Sequence, residues 1–178
     1  MKICLTGGIA CGKSLLSRYL NELGVETLDA DDIVHELLPD PAERKRIAAE
    51  VFADPVKRRE LEARLHPLVK AKINEAFTRA DNRTILIAII PLLFEVHWEG
   101  EFDIICCVES TRENQLLRLM TTRALSREEA EARLAAQLPV AEKAAKSHYV
   151  IHNDGSAEEL KAQAFRFVDW LQQKEKQA

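Results

Sequence analysis

Five short apolar runs punctuate the chain, at Lys2–Thr6, Glu26–Asp29, Thr84–Ile90, Phe102–Val108 and Tyr149–His152. From Ile85 to Ile90 every residue is apolar, with no alternation, as in a strand buried on both faces. Between the runs, apolar residues recur at helical spacing. Leu15, Leu16, Tyr19, Leu20 and Leu23 predict a helix over Lys13–Leu23, closed by Gly24. A long helical region from about Asp32 to Arg79 is punctuated near Pro39, Pro41, Pro55 and Pro67, with His66-Pro67 ending one helix and starting the next. It is too long for one crossover helix and reads as a lobe inserted over the sheet's edge. Ser110-Thr111-Arg112-Glu113 has a capping-box pattern opening a helix that ends near Arg123. Ser126-Arg127-Glu128-Glu129 opens another that ends before Pro139. Ala157–Gln173 is amphipathic, with Leu160, Phe165, Val168 and Leu171 expected on the sheet, and Lys174–Ala178 is expected to fray. Strands alternating with helices predict a parallel sheet wrapped by helices.

Composition adds exclusions. The chain has 178 residues, nearly half of them hydrophobic, which suits one α/β domain and not a disordered segment. A formal net charge of −4 gives no reason to expect a nucleic-acid partner. Ile85–Phe94, interrupted by Pro91, is shorter than the ~20 residues a membrane span needs. The opening residues lack a signal peptide's apolar stretch and cleavage site, so a cytoplasmic protein is expected. Cys4, Cys11, Cys106 and Cys107 form no C-x-x-C pair, and no histidines follow at zinc spacing. They read as small buried hydrophobes in a reducing compartment.

The strongest chemical signal is Gly7-Gly8-Ile9-Ala10-Cys11-Gly12-Lys13-Ser14, which satisfies G-x-x-x-x-G-K-[ST] between a strand and a helix. Its glycines let the backbone curl so that successive N–H groups face phosphate oxygens, and the helix adds its positive end. Lys13 is expected on the β- and γ-phosphates of ATP and the Ser14 hydroxyl on Mg²⁺. Gly7, Gly8, Ala10, Cys11, Gly12 and Leu15 join them as nucleotide-binding positions. At position 11 the backbone does the binding, so the side chain need only be small. The motif makes the predicted fold an α/β P-loop three-layer sandwich with a five-stranded parallel sheet, an inserted helical lobe and a helical lid. The core is assigned to 1–31, 80–110 and 140–178, the substrate lobe to about 32–79 and the lid to about 111–139.

Asp29-Ala30-Asp31-Asp32 ends the second strand, where ligands bind in open parallel sheets. Carboxylates there either take a proton from an attacking hydroxyl and help hold magnesium, or cap the next helix. Asp32 has the strongest case as a pure cap, and Asp29 as a metal ligand. Arg118 and Arg123 fall between two helix starts, as expected of lid cations, whereas Arg127 and Arg133 fit a solvated helix face. His66 is open to a structural or a substrate-side role. Pro91-Leu92-Leu93-Phe94-Glu95 stands where a Walker-B aspartate would usually end the third strand, which argues against a motor ATPase. Asn153-Asp154-Gly155 either offers polar groups to adenine or turns the chain. No N-K-x-D run is present for reading guanine.

Taken in order, Leu5-Thr6-Gly7-Gly8-Ile9, Gly12-Lys13-Ser14, Asp29-Ala30-Asp31, His66-Pro67-Leu68-Val69, Pro91-Leu92-Leu93-Phe94-Glu95 and Asn153-Asp154-Gly155 resemble the dephospho-CoA kinase family over nearly the whole chain. The resemblance implies transfer of the ATP γ-phosphate to the ribose 3′-hydroxyl of dephospho-CoA. It implies Asp31 as base and Arg123 as the lid cation. Arg118 and Asn153 are assigned to the nucleotide, and Asp31, His66, Leu92 and Glu95 to the substrate side. The chain departs from the family between Leu38 and Arg44, where it is shorter, and at Ser147-His148, Leu15 and Cys11. No departure removes a phosphate ligand. A nucleotide or small-metabolite kinase, and a catalytically silent nucleotide-binding module, are the alternatives.

Overall fold

The computed structural model describes residues 1–81 and 84–177. Assignments that run across 82 and 83, or reach 178, lie outside the described residues at those positions. Five strands form one sheet in the order β2-β3-β1-β4-β5: β1 (Ile3–Gly7), β2 (Glu26–Asp29), β3 (Leu86–Ile89), β4 (Ile104–Glu109) and β5 (Tyr149–His152). β1 pairs in parallel with β3 and β4, and β4 with β5. The sheet is the one the apolar runs predict. β3 is shorter than its apolar run, and β4 begins and ends slightly later than expected.

The chain divides into two compact units, Met1–Thr27 with Asn82–Ala178, and Leu28–Asp81. In the first, β1, β3 and most of β4 are buried along their length. Cys106 and Cys107 point to opposite faces, yet both are buried because both faces are covered. One layer comes from α1 (Lys13–Glu22) and α8 (Ala157–Glu175), which set Leu16, Leu20, Leu160, Phe167, Val168 and Leu171 into the core. Phe165 does not join them and is 63% exposed, since the buried face of α8 runs through Ala164, Phe167 and Val168 instead. The helix continues through Lys174 to Glu175, into the tail expected to fray.

Within the same unit, α5 (Arg112–Arg123) and α6 (Arg127–Ala135) follow β4, and the short α7 (Val140–Ala145), which no apolar pattern announces, precedes β5. Ser126 and Glu129 form the expected capping box on α6. The cap of α5 differs: Thr111 caps it, and Ser110 turns its hydroxyl to Asp154.

The second unit holds α2 (Ala30–Leu37), α3 (Pro41–Ala53) and α4 (Pro55–Arg79). The breaks at Pro39, Pro41 and Pro55 occur where expected. Pro41 and Pro55 open helices, where proline's missing N–H costs nothing. Pro67 does not break the chain; it lies inside the 25-residue α4. Val69 and Ile73, just beyond it, are buried, and apolar burial of that size offsets the lost hydrogen bond.

Candidate functional site

The segment from Gly7 to Ser14 forms a phosphate-type loop at the carboxyl end of β1. Gly7 lies so close to β4 that a Cβ would sit 2.2 Å from the Val108 carbonyl oxygen. Gly12 caps α1 at φ 97°, and Ala10 is also left-handed at φ 58°. Alternating handedness of this kind curls the chain into a concave row of N–H groups that suits an anion. The first turn of α1 has no acidic residue, so its positive end is uncompensated.

The outward carbonyls of the loop are each held by a side chain from elsewhere. Gln115 Nε2 donates to the Ile9 carbonyl at 2.7 Å, Arg118 Nη1 to Ala10 at 3.2 Å and Asn153 Nδ2 to Cys11 at 2.8 Å. On the N–H side, Ile9 donates to Gln137 Oε1 at 2.9 Å. Arg118 also reaches the Asn153 carbonyl and the Ser110 hydroxyl. In this structure Arg118 is therefore not a mobile lid cation, because three acceptors fix it under the loop. Asn153 is likewise buried against the loop. Gln115 and Gln137 were missed by sequence reasoning, and nothing local marks them.

Lys13 folds back over the loop, donating to the Gly7 carbonyl at 2.9 Å and Gly8 at 2.8 Å. Ser14 is exposed at the start of α1, and Leu15 is half-buried against the core. Cys11 is fully buried, and that burial pushes its thiol pKa up despite Lys13 nearby. Burial likewise holds the Cys107 thiol at about 12. Arg123 is exposed at the end of α5, followed by left-handed Ala124.

Asp154 ties β5 to the start of α5. Its Oδ1 accepts from the Ser110 hydroxyl at 2.6 Å, the Thr111 N–H at 2.7 Å and Asn114 Nδ2 at 2.8 Å. Partial burial pushes its carboxyl up, but the bonds from Ser110, Asn114 and Thr111 outweigh that and hold it at about 2. An open cavity of about 560 Å³ lies beside Gly8, edged by Gln115, Gln137 and Asp154. Leu92 is 42% exposed, while Leu93 and Phe94 are buried. Glu95 turns inward, its Oε1 2.6 Å from Lys143 Nζ.

In the helical unit, Asp29 is the N-cap of α2, accepting the Asp31 N–H at 2.9 Å. This corrects the expectation that Asp32 is the cap. The helix begins at Ala30, so Asp31 and Asp32 fall in its first turn, both exposed. His66 is half-buried on α4, and Leu68 is exposed. Among the described residues no cluster of three or more His, Cys, Asp or Glu is arranged to hold a metal. A magnesium ion here would take oxygen ligands from phosphate and hydroxyl groups, to which the exposed Ser14 is suited.

A phosphate loop on a five-stranded parallel sheet of order 2-3-1-4-5, with helices between β4 and β5, defines a P-loop kinase. The profile of the dephospho-CoA kinase family matches residues 1–43 and 41–159. The dephospho-CoA kinase of Thermosynechococcus vestitus is 37% identical over 191 residues, covering 95% of this chain and 92% of its own. That of Geobacter sulfurreducens is 39% identical over 181 residues, covering 89% and 92%. The structure of dephospho-CoA kinase from Campylobacter jejuni superposes with a TM-score of 0.75 at 27% identity, covering 98% of this chain and all of that one. This chain belongs to the dephospho-CoA kinase family.

Proposed function

We propose that this protein transfers the γ-phosphoryl group of ATP to the ribose 3′-hydroxyl of dephospho-CoA, giving CoA and ADP. The observation that carries the reading is the phosphate loop, whose carbonyls at Ile9, Ala10 and Cys11 are fixed outward on side chains. That arrangement supports a preorganised anion cradle, and preorganised dipoles are worth most where charge moves during reaction.

In the mechanism, Lys13 leaves the Gly7 and Gly8 carbonyls for the β- and γ-phosphates. The 3′-oxygen attacks the γ-phosphorus as its bond to the β-phosphate bridge breaks, and Asp31 accepts the hydroxyl proton. Arg123, exposed at the end of α5, covers the transferring group when the lid, taken as 111–139, closes. Arg118 and Asn153 act through the loop they hold. His66 and Leu92 are assigned to the acceptor. Ser14 would hold Mg²⁺, which when bound neutralises charge on the phosphates. The described residues include no helix long and apolar enough to cross a membrane; the cytoplasm is the proposed location, as the compartment that supplies ATP.

The test is a coupled ADP-release assay with dephospho-CoA, AMP, CMP and adenosine as parallel acceptors. Dephospho-CoA should be the efficient acceptor by at least a hundredfold in kcat/KM, as expected of a site that hydrogen-bonds its substrate. Equal or faster turnover with AMP, CMP or adenosine would sink the assignment in favour of a nucleotide kinase.

A further inference from the structure

Lys143 is the one charged residue that is fully buried among those described, and the mechanism above gives it no task. It lies on the six-residue α7, and its Nζ donates to Glu95 Oε1 at 2.6 Å and to the Pro91 carbonyl at 2.9 Å. Glu95 Oε1 also accepts the Leu138 N–H at 3.1 Å. Glu95 Oε2 is buried with no hydrogen-bond partner among the described residues. A fully desolvated lysine, a largely buried carboxylate and an unsatisfied oxygen are a poor source of stability. A well-packed apolar pair would hold the same elements as well or better. The arrangement therefore calls for a role other than holding the fold together.

That role can be followed bond by bond. Glu95 fixes Leu138, and the residue before it, Gln137, accepts the Ile9 N–H of the phosphate loop. From the other side Gln115 grips the Ile9 carbonyl. Ile9 is thus held at both its N–H and its carbonyl. One of the two grips depends on where the chain runs at 137–138. A carboxylate is a stronger anchor for the Leu138 N–H than a neutral group, and Lys143 fixes where Glu95 Oε1 points. The Pro91 carbonyl, the second partner of Lys143, also accepts from the Thr6 hydroxyl on β1 at 3.4 Å, so the same lysine ties the end of β3 to the strand that feeds the loop.

The geometry points to Lys143, Glu95 and Gln137 as positioning residues for ATP, relaying from a buried ion pair through the chain at 137–138 to the backbone of the phosphate loop. This rests on the reading of the chain as an ATP-dependent kinase and deepens it. Glu95 then serves the loop rather than touching the acceptor.

The test measures ATP binding by calorimetry without acceptor, alongside thermal unfolding, for Gln137→Leu and for the double variant Lys143→Met/Glu95→Leu. Both should bind ATP about five- to tenfold more weakly, the loss expected for one misplaced hydrogen-bonding segment. The KM for dephospho-CoA should stay within twofold. The double variant should unfold no earlier than the parent, since its buried charges are gone. Gln137 is only half-buried, so Gln137→Leu decides the matter alone if the double variant folds poorly. Parental ATP affinity in Gln137→Leu, or a lowered unfolding temperature with parental ATP affinity in the double variant, would overturn the proposal. Because the readout needs no acceptor, a parent protein that binds ATP but ignores dephospho-CoA would refute the acceptor assignment and leave this relay standing.

Discussion

The two units of the molecule are held together in opposite ways. In the nucleotide unit the decisive hydrogen bonds join distant parts of the chain: Gln115 to Ile9, Arg118 to Ala10 and Asn153 to Cys11, 106, 108 and 142 positions apart. In the helical unit the caps are local, with Asp40 on Ala42 and Asp54 on Val56, and the ion pair from Lys72 to Glu36 is solvent-exposed. Among the described residues the buried apolar side chains divide the same way, with the strands, α1 and α8 supplying most and the three helices few. The difference matches the two tasks. Binding a phosphate chain demands a fixed row of N–H groups, which only long-range bonds can hold to a fraction of an ångström. A lobe that meets an acceptor, the role proposed for the helical unit, tolerates looser support.

This contrast can be broken or sharpened by substitution. Lys13→Ala attacks the nucleotide unit's chemistry directly. Turnover should fall at least a hundredfold while thermal unfolding barely moves, because the lysine's charge matters most as the γ-phosphoryl departs. A folded variant with near-parental kcat would remove Lys13 from the mechanism. In the helical unit Asp31→Asn should lower kcat by roughly two orders of magnitude, with ATP affinity little changed. Asp29→Asn and Asp32→Asn run in parallel, and if Asp31→Asn proves the mildest, the base is misassigned.

Gly12→Ala tests how rigid the loop is. A Cβ there would sit 2.1 Å from Asn153 Nδ2, at a φ of 97° that side chains rarely adopt. Urea denaturation should register a loss of about 1–3 kcal/mol, and ATP titration a weaker complex. Asp154→Asn should have a smaller, pH-dependent effect. The folded carboxyl is held at about 2 against an ordinary 3.8, so its stabilisation is complete above pH about 4 and disappears as pH falls toward 2. The variant's stability should therefore track the parent's at pH 2 and fall below it at pH 6, by less than about 1 kcal/mol given the exposure of the group. Smallest of all, Lys72→Ala should change the unfolding free energy by under about 0.5 kcal/mol. A loss of several times that would mean the helical unit depends on its surface ion pairs after all.

Much of this protein was legible in the chain alone, where the signal is local. Gly7, Gly12, Lys13 and Ser14 lie within eight positions, between an apolar strand and an amphipathic helix, and such a pattern has few other physical readings. The five parallel strands could be read from runs such as Ile85–Ile90, because only a sheet covered on both faces keeps so many apolar residues together. Pro67 misled because its signal is equally local, whereas the burial of Val69 and Ile73 that keeps α4 continuous belongs to the folded unit. Phe165 misled because a face wide enough for four apolar residues can be drawn through α8 in more than one way, and only contact with the sheet chooses between them. Arg118 and Asn153 could be singled out, but not the task the fold gives them. Gln115, Gln137 and Lys143 could not be singled out, since a polar residue on a short amphipathic stretch looks solvated until its partner, dozens to more than a hundred residues away, is brought beside it. Sequence thus determined the class of chemistry and the loop that performs it. Tertiary structure alone decided which side chains hold that loop, because a hydrogen bond between distant residues leaves no periodicity in the chain that makes it.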